Sequence, residues 1–180
     1  MNPPPYPRAT LHTGRFLALI REGHWEYVDR VNATGAAAIV AVTNDRKLLL
    51  VEQYRIPCHA RTLELPAGII GDEPQAGAES ALEAAGRELL EETGYAAGRL
   101  ELLVNGPPSS GLASERVTFF KATELRQAGA GGGIAHEDIL VHEAPLSRID
   151  EWLADKARAG VLVDPKIYAG LYFLRSLLPA

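Results

Sequence analysis

Hydrophobic and polar positions along the chain switch repeatedly between two periods. Residues 14–20 and 25–31 carry short apolar runs, the second alternating as Trp25, Tyr27, Val28 and Val31 among Glu26, Asp29 and Arg30, with Glu22-Gly23 between them. They predict an N-terminal β-hairpin. Ala36 to Val42 is an unbroken run of small apolar residues, and Lys47 to Gln53 returns after the turn signal Asn44-Asp45. Such a run fits a strand buried on both faces. A short strand is expected over 62–65, ended by Pro66-Ala67-Gly68, with a Gly-, Asp- and Pro-rich loop on to about Gly77. From about Glu79 to Thr93 the period lengthens, Leu82, Ala85 and Leu89 making one apolar stripe, which predicts a helix. Strands follow near 98–104, 116–123 and 139–142, and two helices, roughly 147–158 and 164–178, complete the pattern.

Two connections exceed ordinary length, 68–78 and the Gly/Ala tract 128–136, which reads as a flexible loop. Loops of that size more often carry function than merely connect. Strands interspersed with helices, without an internal repeat, predict a single α/β (α+β) domain of mixed sheets packed by helices. The expected organisation is a flexible segment 1–12, rich in Pro and extended, then the hairpin 13–35, then a main domain 36–180.

Composition narrows the function classes. A formal net charge of −5, with four lysines and scattered arginines, offers no basic stripe to a nucleic-acid backbone. Cys58 is the sole cysteine, which excludes an intramolecular disulfide and a cysteine-based metal site and fits a reducing cytoplasm. No signal-peptide pattern opens the chain and no apolar run approaches the roughly 18 residues of a membrane span.

Chemistry concentrates at Arg87-Glu88-Leu89-Leu90-Glu91-Glu92-Thr93-Gly94-Tyr95. Glu88, Glu91 and Glu92 are three and four apart and reach one side of the helix, while Gly94 reads as the residue just past its end. Carboxylates in a last turn face an already negative macrodipole, at a cost of a few tenths to about 1 kcal/mol each. A solvated acidic face is the plain alternative. A bound divalent cation is the simplest compensation, and hard oxygen donors suit Mg²⁺ or Mn²⁺.

Glu79, seven further residues and then this segment resemble the Nudix box, the metal-binding loop-helix-loop of Nudix hydrolases. The pattern's glycine six residues before the first glutamate is replaced by Glu73, so Gly68 is taken as its equivalent, with about five extra residues in the loop. Glu52-Gln53-Tyr54-Arg55, Glu64-Leu65-Pro66-Ala67-Gly68 and Asp164-Pro165-Lys166 are similar to the ADP-ribose pyrophosphatase and nucleoside diphosphate sugar branch.

That resemblance implies the Nudix fold and hydrolysis of a diphosphate bond, ADP-ribose foremost, with GDP-mannose or another nucleotide-sugar as alternatives. It implies Glu88, Glu91, Glu92 and the Ala67 carbonyl as ligands of Mg²⁺ or Mn²⁺, on an exposed helix end, with Arg87 and Glu79 bracing the box. Arg55 would contact phosphate and Glu64 the base or sugar. Glu137 would be the catalytic base, with Asp138 and Glu115 as rivals, and Trp25 or Tyr27 packs or stacks on a base. A homodimer built through the N-terminal hairpin is expected, without membrane or nucleic-acid partners. A Nudix-like module that binds a nucleotide-sugar without cleaving it is the competing class.

Overall fold

The computed structural model describes residues 6–71, 79–133 and 138–176. Its strands are β1 (Arg8–Thr13), β2 (Leu17–Glu22), β3 (Trp25–Arg30), β4 (Gly35–Ala41), β5 (Lys47–Arg55), β6 (Ala60–Glu64), β7 (Ala67–Ile70), β8 (Tyr95–Ala96), β9 (Arg99–Gly106), β10 (Val117–Thr123), β11 (Arg126–Gln127), β12 (Leu140–Pro145) and β13 (Leu162–Val163). The helices are α1 (Ala81–Thr93), α2 (Ile149–Arg158) and α3 (Pro165–Ser176).

Two four-stranded sheets form the centre, ordered β7-β4-β10-β9 and β12-β5-β6-β13. In the first, β4 and β10 run parallel while their outer neighbours are antiparallel. The period of two along β4 sorts its side chains between two cores. Ala38 and Val40 join Leu48, Leu50, Leu63 and Leu65 between the sheets, under α2 and α3. Ala37, Ile39 and Ala41 face the other way, onto Ala84, Ala85 and Leu89 of α1. Apolar side chains are required along β4 because both of its faces are covered.

Helix α1 begins later than its apolar period suggests. Ser80 is the N-cap of a capping box: its hydroxyl accepts from the Glu83 N–H, and the Glu83 carboxylate accepts from the Ser80 N–H. Glu79 therefore sits outside the helix. Leu82, counted on the buried stripe, is 47% exposed, and Ala84 takes its place against the sheet.

Two further expectations change. The N-terminal hairpin is a three-stranded antiparallel sheet, because Arg8–Thr13, assigned by its neighbouring prolines to a flexible start, pairs with β2. Ala67–Ile70, read as the start of a loop, pairs along β4 from Ala38↔Ala67 to Gly35↔Ile70. A four-residue edge strand containing Gly68 has too little pattern to show in sequence. The N-terminal sheet docks onto the 109–115 segment through Val28 N–H to Leu112 O at 2.9 Å, Ser114 N–H to Val28 O at 3.1 Å and an Arg30–Glu115 ion pair.

One buried ionic cluster ties β5, β6, β12 and α2 together. Glu52 accepts from Arg61 Nε at 2.8 Å and Lys156 Nζ at 2.7 Å, and its Oε2 lies 2.9 Å from His142 Nε2. Burial alone would raise the Glu52 carboxyl, but Lys156, Arg61 and His142 outweigh it and hold it at about 2. Burial, helped by Lys156, pushes the His142 imidazole below its usual value, against the pull of Glu52.

A depressed carboxyl stabilises the fold above its unfolded value and loses that contribution as pH falls through the folded one. Glu52 thus withdraws stability between its ordinary 4.5 and about 2, and His142 adds to the acid loss below its ordinary 6.5. Urea unfolding between about pH 7 and pH 3 should show a falling midpoint for the wild type. Glu52→Gln should start lower and lose less over the same range; an unchanged slope would refute this role.

Candidate active site

The site forms at the C-terminal half of α1. Strand β7 runs beside it, and the Ala67 N–H donates to Glu92 Oε2 at 2.9 Å. Glu92 is buried, 5% exposed, so the last turn is enclosed rather than an exposed helix end. The neighbouring glycine is there for close approach. A Cβ built on Gly68 would lie 1.8 Å from the Glu88 Cδ, so any side chain would displace that carboxylate.

Arg87 organises the acids. Its Nε donates to Glu79 Oε1 at 3.0 Å and its Nη2 to Glu79 Oε2 at 3.3 Å. Its Nη1 donates to Glu88 Oε1 at 2.9 Å and to Glu91 Oε2 at 3.1 Å. Eight residues of helix would separate Arg87 from Glu79, but Glu79 precedes the N-cap and folds back to meet it. The same carboxylate accepts from the Gly71 N–H at 3.4 Å, and the Arg87 hydrogen bond above all lowers its pKa.

Glu88 and Glu92 border a cleft of about 420 Å³. Glu88, Glu92, Ala67 and Gly68 form an acidic wall, while Arg55, Gln53, Glu64 and Lys166 come from the β5–β6 side and the start of α3. Arg30 and Glu115 line a third side, where the N-terminal sheet meets the main domain. Each cation carries a carboxylate partner. Arg55 grips Glu64 with two bonds, Nε–Oε1 at 2.7 Å and Nη2–Oε2 at 2.8 Å, and Lys166 pairs with Asp164. Burial would raise the Glu64 carboxyl, yet Arg55, the Thr62 hydroxyl and the charge of Lys166 bring it below the usual value.

The cleft gathers Ala67, Glu88, Glu92, Arg55 and Glu64. Arg87 stands behind them. Glu91 is not among the residues lining the cleft; its carboxylate turns to Arg87. Glu137 lies outside the described residues. Of its rivals, Asp138, 79% exposed, pairs with Arg61 at 3.0 Å and is not among the residues lining the cleft, whereas Glu115 lines it, paired with Arg30. Trp25 and Tyr27 border a separate hollow with Tyr6 and Ser110. Lys166, Gln53 and Arg30 also belong to the cleft; the first two lie in segments similar to the ADP-ribose pyrophosphatase branch, while no sequence signal joins Arg30 to it. They reach it from three distant elements.

Among the described residues no three His, Cys, Asp or Glu side chains converge as a preformed metal-holding group. The donors nonetheless suit a hard divalent cation: two carboxylates share one wall with the Ala67–Gly68 backbone, all oxygen, and Gly68 leaves room for Glu88 against that backbone. Among the described residues no helix is long and apolar enough to cross a membrane.

Comparison with known proteins adds a family. A methanol dehydrogenase activator of Bacillus methanolicus is 34% identical over 129 residues, 70% of this chain and 66% of its own length. An ADP-ribose pyrophosphatase of Bacillus subtilis is 41% identical over 97 residues, 53% of this chain and 49% of its own. A GDP-mannose pyrophosphatase of Escherichia coli (strain K12 / DH10B) is 30% identical over 160 residues, 84% and 77% respectively. The chain thus spans about half to two-thirds of the length of the first two relatives. The crystal structure of an ADP compounds hydrolase superposes with a TM-score of 0.73 at 22% identity, covering 98% of this chain and 94% of that one, a likeness of fold. The family model for the NUDIX domain matches residues 33–139, more than half of the chain and the whole stretch that builds β4, the acidic helix and both central sheets up to β12, and the chain belongs to that family.

Proposed function

We propose that this chain is a divalent-metal-dependent hydrolase of the diphosphate bond in a nucleoside diphosphate sugar, ADP-ribose foremost, releasing AMP and ribose 5-phosphate. GDP-mannose is the alternative main substrate, favoured by the long alignment to a GDP-mannose pyrophosphatase. The observation that carries the reading is the cleft's polarity: carboxylates of α1 on one wall, guanidinium and ammonium groups on the others. A diphosphate bridges such walls, because its oxygens accept from Arg55 and Lys166 on one side while divalent ions offset their charge on the other.

Each side chain then has a defined task. Glu88 and Glu92 would hold the ion together with the Ala67 carbonyl, and Glu91 would adjust the site from its place on Arg87. A bound Mg²⁺ or Mn²⁺ would polarise the phosphoryl oxygens and lower the pKa of water. Arg87 keeps the ligand carboxylates oriented, as partners of metal ligands do. Arg55, aligned by Glu64, presents its donors to phosphate, and Glu64 reaches the sugar or base. Glu137 takes the proton of the attacking water. Exposed Phe16, Leu17 and Leu19 in and beside the N-terminal sheet support a homodimer through that sheet. The lone, exposed Cys58 fits a reducing cytoplasm.

Purified protein should release AMP from ADP-ribose only with Mg²⁺ or Mn²⁺, read by chromatography with GDP-mannose in parallel. No metal-dependent cleavage of any nucleotide-sugar would overturn the proposal, and tight calorimetric binding without product would favour a binding module. Glu92→Gln should lower kcat by about two orders of magnitude or more with a similar melting temperature. Gly68→Ala should lower kcat about 10- to 100-fold by pushing the Glu88 carboxylate away.

The proton acceptor is testable separately. Glu137→Gln should reduce kcat by about 10²- to 10⁴-fold and remove the acid limb of the pH profile. Glu115→Gln should retain that limb; the opposite ranking would move the assignment to Glu115. Sedimentation velocity should give a dimer, and a monomer at all concentrations would refute the role of the N-terminal sheet.

A further inference from the structure

Residues 128–133 of the Gly/Ala tract, which composition reads as a flexible loop, are bonded to the end of α1. The last carbonyls of a helix have no partner within it. Here the tract provides them: Gly132 N–H donates to Glu92 O at 2.8 Å and Gly133 N–H to Glu91 O at 3.0 Å. Just beyond the helix, Ala128 and Gly129 N–H both reach Gly94 O, at 2.8 and 2.9 Å. The tract arrives in register because β11 pairs with β8, the two residues that follow Gly94.

Side chains are excluded from this contact on both sides. Gly94 has φ +77°, and a Cβ there would stand 2.5 Å from Gly129 O. Gly131 has φ +67°, and a Cβ there would stand 2.5 Å from the Thr93 carbonyl carbon. The last turn of α1 holds no basic residue, so amide dipoles are what the tract brings to a helix end already crowded with carboxylates.

Resting on the metal-dependent reading above, we propose that Gly131–Gly133 is a positioning element for the divalent ion, clamping the turn that carries Glu91 and Glu92. Glu92 is held at both ends, its carbonyl by Gly132 and its carboxylate by the Ala67 N–H. The clamp fixes the height of that carboxylate against β7, and with it the spacing of the ligand oxygens. Its loss lets the turn move while Arg87, Glu79 and the cores beneath α1 stay in place.

The test compares Mn²⁺ binding, read as free Mn²⁺ by electron paramagnetic resonance, with hydrolysis over a Mg²⁺ titration. Gly131→Ala should weaken Mn²⁺ binding about tenfold or more and raise the Mg²⁺ needed for half-maximal rate in proportion. KM for ADP-ribose at saturating metal should move by less than about twofold. Gly129→Ala, whose added carbon meets nothing nearer than 3.8 Å, should bind Mn²⁺ like wild type. Gly160→Ala, at a similarly positive φ of +87° but in open space after α2, carries the φ strain without the clash and should leave Mn²⁺ affinity unchanged.

Folded Gly131→Ala protein that binds Mn²⁺ like wild type overturns the proposal, as does Gly160→Ala weakening binding equally. If Gly131→Ala is not recovered folded, Gly132→Ala, at φ +99° with no atom nearer than 4.0 Å, carries the same comparison. Wild-type protein that binds Mn²⁺ yet cleaves no nucleotide-sugar refutes the function proposed above, while the Mn²⁺ comparison still decides this inference. Wild-type protein that binds no Mn²⁺ overturns both.

Discussion

Three carboxylates within one and a half turns of helix repel one another, and the guanidinium of Arg87 is what makes their crowding stable. It donates to Glu88 and Glu91 on its own helix and to Glu79 outside it. An arginine suits this position because its planar fork addresses several carboxylates at once, which a lysine's single ammonium does less well. The same fork joins the residue before the N-cap to the second turn of α1. Glu92, the acid Arg87 does not reach in these bonds, is instead held by the Ala67 amide.

That local arrangement depends on the layers beneath it. Helix α1 is fixed by Ala84, Ala85 and Leu89 against Ala37, Ile39 and Ala41, and those alanines allow a close approach of helix to sheet. Strand β4 then sets β7 beside it, and β7 sets the Ala67 amide at the height of Glu92. From the opposite sheet, β5 and β6 bring Arg55 and Glu64 to the facing wall. The cleft lies where β7 begins, so the two central sheets fix its width and the side chains of their strand ends fix its polarity.

The periodic parts of the fold were legible in sequence. The small-apolar run at 36–42, the returning run at 47–53 and the 3.6-period at 82–93 are each long enough for their pattern to be dominated by burial. What escaped was short or governed by partners. Strand β7 has four residues and one is glycine; β1 lies next to a proline cluster and exists through its pairing with β2. The capping signature Ser80-x-x-Glu83 was present and would have placed the helix start correctly. The bonds of residues 128–133 were not legible for a physical reason: glycine is equally the residue of flexible linkers and of positive-φ caps, and only the neighbour it meets distinguishes them.

By itself the sequence determined the chemistry's type: acids at a helix end, in the spacing of the Nudix box, belong to one helix and need no tertiary information to be placed on one side of it. The tertiary structure decided everything that depends on distance between elements. It paired Arg55 with Glu64, brought Lys166 and Arg30 to the cleft, buried Glu92 and turned Glu91 toward Arg87. Helical spacing is a property of the local chain, whereas the meeting of β5, β7, α1 and α3 is set by how two sheets and their helices pack, which no window of residues contains.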